Sequence, residues 1–250
     1  MSRFDMILWD VDGTLLDFVY SQRAALSACL KEIGVPVTEY LLETYSRIND
    51  AYWKQLELGC VTRDQLLTGR FVSFFEECKI EQADPVSFQH AYESHLGQVY
   101  RYQENSYEIC RFLHGKVKQY VITNGITQVQ RSKLELAGLT SFFEEIFISE
   151  EVGTPKPRKE FFDTCINRIE QQWGGPVRKD RMLIVGDSLT SDIKGGFLYG
   201  IPTCWYRPST ADTENENYRK YKPDYEIEHL DQMIGLMGFE ALWQNQKGRN

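Results

Sequence analysis

Three short apolar runs in this chain each break off into small polar residues, and that repeated ending constrains the fold more than any other feature. Met6-Ile7-Leu8-Trp9 runs into Asp10-Val11-Asp12-Gly13-Thr14, Tyr120-Val121-Ile122 into Thr123-Asn124-Gly125, and Met182-Leu183-Ile184-Val185 into Gly186-Asp187-Ser188. None of the runs alternates apolar with polar residues, so each reads as a strand buried on both faces. Helical patterns lie between and after them, such as residues 127 to 137, closed by Gly138, and residues 159 to 170. Buried strands interleaved with helices predict an α/β fold, a parallel sheet with helices on both faces. In such sheets ligands bind beyond the carboxyl ends of the strands, where the three polar clusters fall.

Residues 18 to 102 read differently. Thr62-Arg63-Asp64-Gln65 fits a capping box, and Asp84-Pro85 fits an N-cap followed by proline at the first helical position. Helical patterns fill residues 21 to 33, 39 to 58, 65 to 78 and 86 to 100, and no run between them resembles a buried strand. The segment is expected to be a helical bundle inserted after the first strand, a cap over the carboxyl edge of the sheet. The expected division is a core of residues 1 to 17 and 103 to 240, a cap of residues 18 to 102, and a C-terminal tail of residues 241 to 250. Residues 208 to 223 are expected to form a surface loop, and residues 244 to 250 to fray.

Composition narrows the partners. With 28 Lys and Arg against 36 Asp and Glu the net charge is −8 and the pI about 5.2, which argues against a nucleic acid polymer, since that needs a basic face. An anionic small substrate stays compatible, because local cations or a metal reverse the field inside one cleft. The cysteines, Cys29, Cys60, Cys78, Cys110, Cys165 and Cys204, form no C-x-x-C pair and no Cys/His ligand spacing. No apolar stretch approaches the ~20 residues that span a bilayer, and the N-terminal residues do not read as a signal peptide. A soluble protein of the reducing cytoplasm, with no membrane association and a monomeric or weakly dimeric state, is the expectation.

The acidic residues carry the chemistry. Asp10 and Asp12 stand two apart at a strand end and can reach one cleft, where paired carboxylates need a cation or a shared proton. Asp187 and Asp192 follow a later strand and could complete an oxygen-only ligand set, which suits Mg2+. The plainer alternative is that D-x-D-G is a turn and Asp187 a helix cap; three clusters at three strand ends weigh against it.

With these residues in view, Asp10-Val11-Asp12-Gly13-Thr14-Leu15 resembles the first motif of the haloacid dehalogenase superfamily. Thr123 after its apolar strand is similar to the second motif, Lys156 within Gly153-Thr154-Pro155-Lys156-Pro157 to the third, and Gly186-Asp187 with Asp192 to the fourth. The resemblance implies a Rossmann-like core with an inserted α-helical cap domain. It implies Asp10 as the nucleophile that forms an aspartyl-phosphate, and Asp12 as general acid and then base. Mg2+ would be held by Asp10, by Asp12 through its backbone carbonyl, and by Asp187. Thr123, backbone N–H groups of the Asn124 loop and Lys156 would bind the phosphoryl oxygens, with Asp192 supporting the metal indirectly.

A second carboxylate at Asp12 favours phosphoryl chemistry over dehalogenation, because an alkoxide must be protonated as it leaves and a halide need not be. Asp17-Phe18, the cap stretch Ile48-Asn49-Asp50-Ala51-Tyr52-Trp53 with Leu58-Gly59 and Arg70-Phe71, residues 148 to 153 and residues 191 to 196 resemble the pyrimidine 5'-nucleotidase branch. That branch often carries Asp where this chain has Gly13. The resemblance implies a small phosphomonoester, a nucleotide, as substrate. Phosphoglycolate or sugar phosphates, a β-phosphoglucomutase-type mutase, and a regulatory binding protein on the same fold are the alternatives. The aromatic residues Tyr45, Tyr52, Trp53, Phe71, Phe74 and Phe75 offer rings that could stack a base, or else form the core of the bundle.

Overall fold

A computed structural model describes residues 2–207 and 216–247. Its first stretch holds β1 (Met6–Trp9), α1 (Phe18–Glu32), α2 (Glu39–Leu58), α3 (Arg63–Cys78), α4 (Pro85–Gly97) and α5 (Ser106–Leu113). There follow β2 (Lys118–Thr123), α6 (Thr127–Leu136), β3 (Glu145–Ile148), α7 (Ser149–Val152), α8 (Lys159–Trp173) and β4 (Met182–Gly186). A π-helical turn at Leu189–Ile193 leads into α9 (Lys194–Tyr199), β5 (Thr203–Tyr206), α10 (Glu216–Lys220), β6 (Tyr225–Ile227), α11 (Gln232–Leu236) and α12 (Glu240–Lys247).

The described residues divide into two compact units. One holds the chain up to Leu16, Tyr102–Thr127 and everything from Ala137 on; the other holds Asp17–Arg101 and Gln128–Leu136.

In the first unit the six strands form one parallel sheet in the order β3-β2-β1-β4-β5-β6. The chain builds outward from β1 to one side, then returns and builds to the other. The carboxyl ends of β1 and β4 therefore flank the point where the strand order reverses, which is where open parallel sheets bind ligands. Trp9 pairs with Val121 on β2 and with Val185 on β4, so Asp10 emerges level with the end of β4. One face of the sheet, through Met6, Leu8, Tyr120, Ile122, Met182 and Ile184, packs against Phe161, Phe162, Cys165 and Ile169 of α8. The three apolar runs are β1, β2 and β4, the last two slightly longer than the runs themselves.

The second unit is helical, and its ends are tied by side chains. Asp17 accepts from the Tyr20 amide, Thr38 from Leu41, and Asp84 from Ser87 with Pro85 at the first helical position. Thr62 and Gln65 close the capping box in both directions, at 3.2 and 2.9 Å. Tyr45 stacks on Phe71 with ring centroids 5.3 Å apart and meets Phe74 and Tyr92 edge-on. Tyr45, Phe71, Phe74 and Phe75 are thus buried bundle core and cannot stack a base, whereas Tyr52 and Trp53 keep part of their surface open.

Three expectations change. The Ser132 hydroxyl donates to the Gly97 carbonyl at 2.7 Å and the Lys133 ammonium lies 5.7 Å from the Phe18 ring centroid, so residues 128 to 136 join the inserted helices. Residues 216 to 220, expected as loop, are helical, and the rest of that segment up to residue 215 lies outside the described residues. The tail expected from residue 241 is a helix as far as Lys247, because Trp243 is buried edge-on to Phe112 at 4.8 Å; residues 248 to 250 lie outside the described residues. Among the described residues no helix is long and apolar enough to cross a membrane.

Candidate active site

The chain turns as soon as β1 ends. The Asp10 amide still donates to Val185 at 2.9 Å, as a strand residue would, but the Val11 carbonyl then accepts from the Thr14, Leu15 and Leu16 amides at 3.3, 2.9 and 2.9 Å. Gly13 makes that turn with φ +91°, and a Cβ there would run into the Asp187 carboxylate. Glycine is therefore what lets the two loops approach. Thr14 is buried, its hydroxyl 3.5 Å from the same Asp187 carboxylate.

Lys156 reaches the same place from the segment after α7. Its backbone is clamped on both sides by one side chain: the Lys156 N–H donates to Asn124 Oδ1 at 2.9 Å, and Asn124 Nδ2 donates to the Lys156 carbonyl at 3.0 Å. The ammonium, 1% exposed, donates to Asp10 at 2.7 Å, to Asp192 at 2.6 Å and to the Ile122 carbonyl at 2.8 Å. Thr123 at the end of β2 accepts the Gly125 amide at 3.1 Å through its hydroxyl oxygen, a bond that does not use the hydroxyl proton.

Asp187 follows β4, and its carbonyl accepts from the Trp205 indole N–H at 2.8 Å. The π-helical turn then swings Asp192 inward, where it is fully buried and accepts the Ser188 amide at 3.2 Å as well as the lysine. Ser188, not Asp192, caps that turn, through the Ser191 amide. Gly186 sits so close to Asp192 that a Cβ would overlap its carboxyl group.

One oxygen from each of Asp10, Asp187 and Asp192 lies within 4.8 Å of the others. The carboxylate of Asp12 is not in that trio. Asp192, expected as an indirect support, is a member of that trio. Trp205 and the clamp made by Asn124 are features the sequence does not announce, since a tryptophan in a strand and an asparagine in a loop have no distinguishing pattern.

Burial first, then the charges of Asp192 and Asp12, raises the Asp10 carboxyl to about 7, against the pull of Lys156. Burial, then Asp10 and Asp192, raises Asp187 well above the ordinary carboxylate range. Burial works against the charge on Lys156, but Asp10 and Asp192 together outweigh it and hold the ammonium above its usual value. The lysine therefore compensates only part of the negative charge. An oxygen-only donor set with uncompensated charge fits a hard divalent cation such as Mg2+ better than a thiophilic one.

Residues 4–198 match the family of haloacid dehalogenase-like hydrolases. YfnB, a HAD-family protein of Bacillus subtilis, is 33% identical over 240 residues, covering 96% of this chain and 98% of its own. A crystal structure of YfnB bound to magnesium superposes with a TM-score of 0.85, covering 94% of this chain and 99% of that one. The pyrimidine 5'-nucleotidase PynA of Streptococcus pneumoniae is 34% identical, with 96% of this chain and 97% of its own covered. The pyrimidine 5'-nucleotidase YjjG of Escherichia coli is 32% identical, with 81% and 86% covered. With that match over most of its length, and a buried Asp10–Lys156–Asp192 cluster at the carboxyl ends of a parallel sheet, the chain belongs to the haloacid dehalogenase-like hydrolases.

Proposed function

We propose that this hydrolase is a phosphatase that releases phosphate from nucleoside 5'-monophosphates, those of pyrimidines foremost. The observation that carries the chemistry is a buried carboxylate, Asp10, held 2.7 Å from a buried lysine at the switch point of the sheet. The lysine fixes the Asp10 carboxylate, so its other oxygen can attack phosphorus in line. Asp12, half-buried two residues on, protonates the ester oxygen as the P–O bond breaks. The same residue then takes a proton from water, which attacks the phosphorus of the aspartyl-phosphate and returns Asp10 with release of inorganic phosphate. The Thr123 hydroxyl and backbone N–H groups of the Asn124 loop offer donors to the phosphoryl oxygens, and the Lys156 ammonium, its three N–H groups taken by Asp10, Asp192 and the Ile122 carbonyl, adds its positive charge beside them. Asp10, the Asp12 carbonyl and Asp187 would hold Mg2+, with Asp192 close behind; when bound, the ion neutralises charge between a carboxylate nucleophile and a phosphate dianion.

The substrate class rests on relatives. PynA and YjjG are pyrimidine 5'-nucleotidases, and both align with this chain at 34% and 32% identity over most of its length. The test is a side-by-side panel of kcat/KM at fixed Mg2+ for dUMP, dTMP and UMP against phosphoglycolate and hexose phosphates. The pyrimidine nucleotides are expected to lead by about tenfold or more, a difference of about 1.4 kcal/mol in transition-state binding. A tenfold lead for phosphoglycolate or a sugar phosphate removes the nucleotidase reading and leaves the phosphatase. Isomerisation of β-glucose 1-phosphate without net phosphate release replaces both with a mutase.

A further inference from the structure

A second convergence of metal-ligating side chains lies in the helical unit, with a different chemical character. Cys29 and Glu32 sit three apart on the last turn of α1, so they share one face of that helix. His95 sits on the last turn of α4, which packs along α1. The Cys29 sulfur, a Glu32 carboxylate oxygen and a His95 ring nitrogen all lie within 4.8 Å of one another. His95 Nε2 is 2.7 Å from Glu32 Oε1. We propose that Cys29, Glu32 and His95 form a binding site for a thiophilic divalent cation of the zinc class, which clips α1 to α4.

Several observations converge on a cation. Thiol, imidazole and carboxylate from three residues make a ligand set suited to Zn2+ and poorly suited to Mg2+, with a fourth position left for water. Both helices end at this point: Glu32 is the last residue of α1, and His95 lies two residues before the end of α4. The partial negative charges of two helix C-termini therefore favour a positive ion there. Cys29 is 1% exposed, while the Glu32 and His95 side chains are 54% and 33% exposed, so the site has a buried soft ligand and an open side for entry. Each helix is fixed at its far end by an aspartate cap, Asp17 on α1 and Asp84 on α4, so the ligand-bearing turns are set before any ion arrives. A histidine–glutamate pair this exposed adds little stability alone. A cation would replace that weak bond with three stronger ones as the Cys29 thiol releases its proton to solvent.

Co2+ serves as the probe, since a thiolate ligand gives it a charge-transfer band in the near ultraviolet that oxygen ligands alone do not. The full chain, stripped of metal, is titrated with Co2+, then with Zn2+ to displace it. The expected result is a thiolate band that saturates, is abolished by Zn2+, and persists in Asp10→Asn and in Cys60→Ser. In Cys29→Ser the band should vanish. In His95→Gln the affinity should fall by more than about a hundredfold, beyond what an outer partner of a ligand carries. No thiolate band in the wild-type chain, or one that survives Cys29→Ser, overturns the proposal. If Cys29→Ser does not fold, the surface variant His95→Gln decides: an unchanged band and affinity overturn the site as well. Zn2+ should also raise the melting temperature of the wild-type chain and of Asp10→Asn, but not that of His95→Gln.

Discussion

Lys156 directs its ammonium at two carboxylates and a carbonyl at once, and it is 1% exposed while doing so. A buried charge that loses its partner costs about 3–5 kcal/mol, so Asp10, Lys156 and Asp192 behave as a unit in which each holds the others in place. Asp10→Asn keeps the shape and one hydrogen bond but removes the proposed nucleophile. Phosphate release should fall by at least about a thousandfold with the far-ultraviolet circular dichroism unchanged. Asp12→Asn should cost about a hundredfold or more and slow both formation and hydrolysis of the intermediate, which pre-steady-state release of nucleoside (formation) and of phosphate (hydrolysis) separates. An acyl-phosphate trapped on any residue but Asp10 refutes these roles. Gly186→Ala tests the spacing: the new methyl overlaps the Asp192 carboxyl group, Asp192 shifts, and Lys156 loses one anchor. A shift of that kind should lower kcat about a hundredfold in a chain that still folds.

At the scale of elements, α12 is the least expected and the easiest to test. Trp243 lies 8% exposed against Phe112 of α5, with centroids 4.8 Å apart. Trp243→Ala should destabilise the chain by about 3 kcal/mol, seen as a fall in thermal midpoint, whereas a frayed tail would show no change. Thr62→Ala should cost only about 1 kcal/mol, because it removes one bond of the capping box and leaves the helix packed. The contrast shows what the sequence makes legible. The boundaries of α2, Glu39–Leu58, and the start of α4 could be read directly, because their caps are Thr38, Gly59, Asp84 and Pro85 and such residues act locally. The strands β1, β2 and β4 were legible because they are central and apolar on both faces. The strands β3, β5 and β6 were not: they run three or four residues, Glu145 opens one and Glu226 interrupts another. Whether Asp192 caps a helix or meets Lys156 was also unreadable, since it depends on a π-helical turn that adds a residue to the local period.

For the whole molecule, the decisive quantity is the charge left uncompensated in the sheet-bearing unit. Asp10, Asp187 and Asp192 converge within 4.8 Å while Lys156 pairs with two of them, so the folded chain holds repulsion that its unfolded form does not. A bound divalent cation would relieve that repulsion in the folded state only, which makes stability depend on its concentration. At ~100 times the dissociation constant, Mg2+ would add about 2.7 kcal/mol, or roughly 5–10 °C in the midpoint of a domain of this size. Thermal unfolding followed in chelator and in Mg2+ should show that rise, and phosphate release should vanish and return over the same titration. Asp187→Asn separates repulsion from catalysis. Removing one of the crowded charges should hold or raise the midpoint in chelator, remove most of the Mg2+-induced rise, and abolish hydrolysis. If the variant instead melts several degrees lower in chelator and keeps the full Mg2+ rise, then Asp187 is a structural residue and the cation is held elsewhere. Retained hydrolysis after complete metal removal would set aside the metal and leave the Asp10–Lys156 pair to account for the chemistry alone.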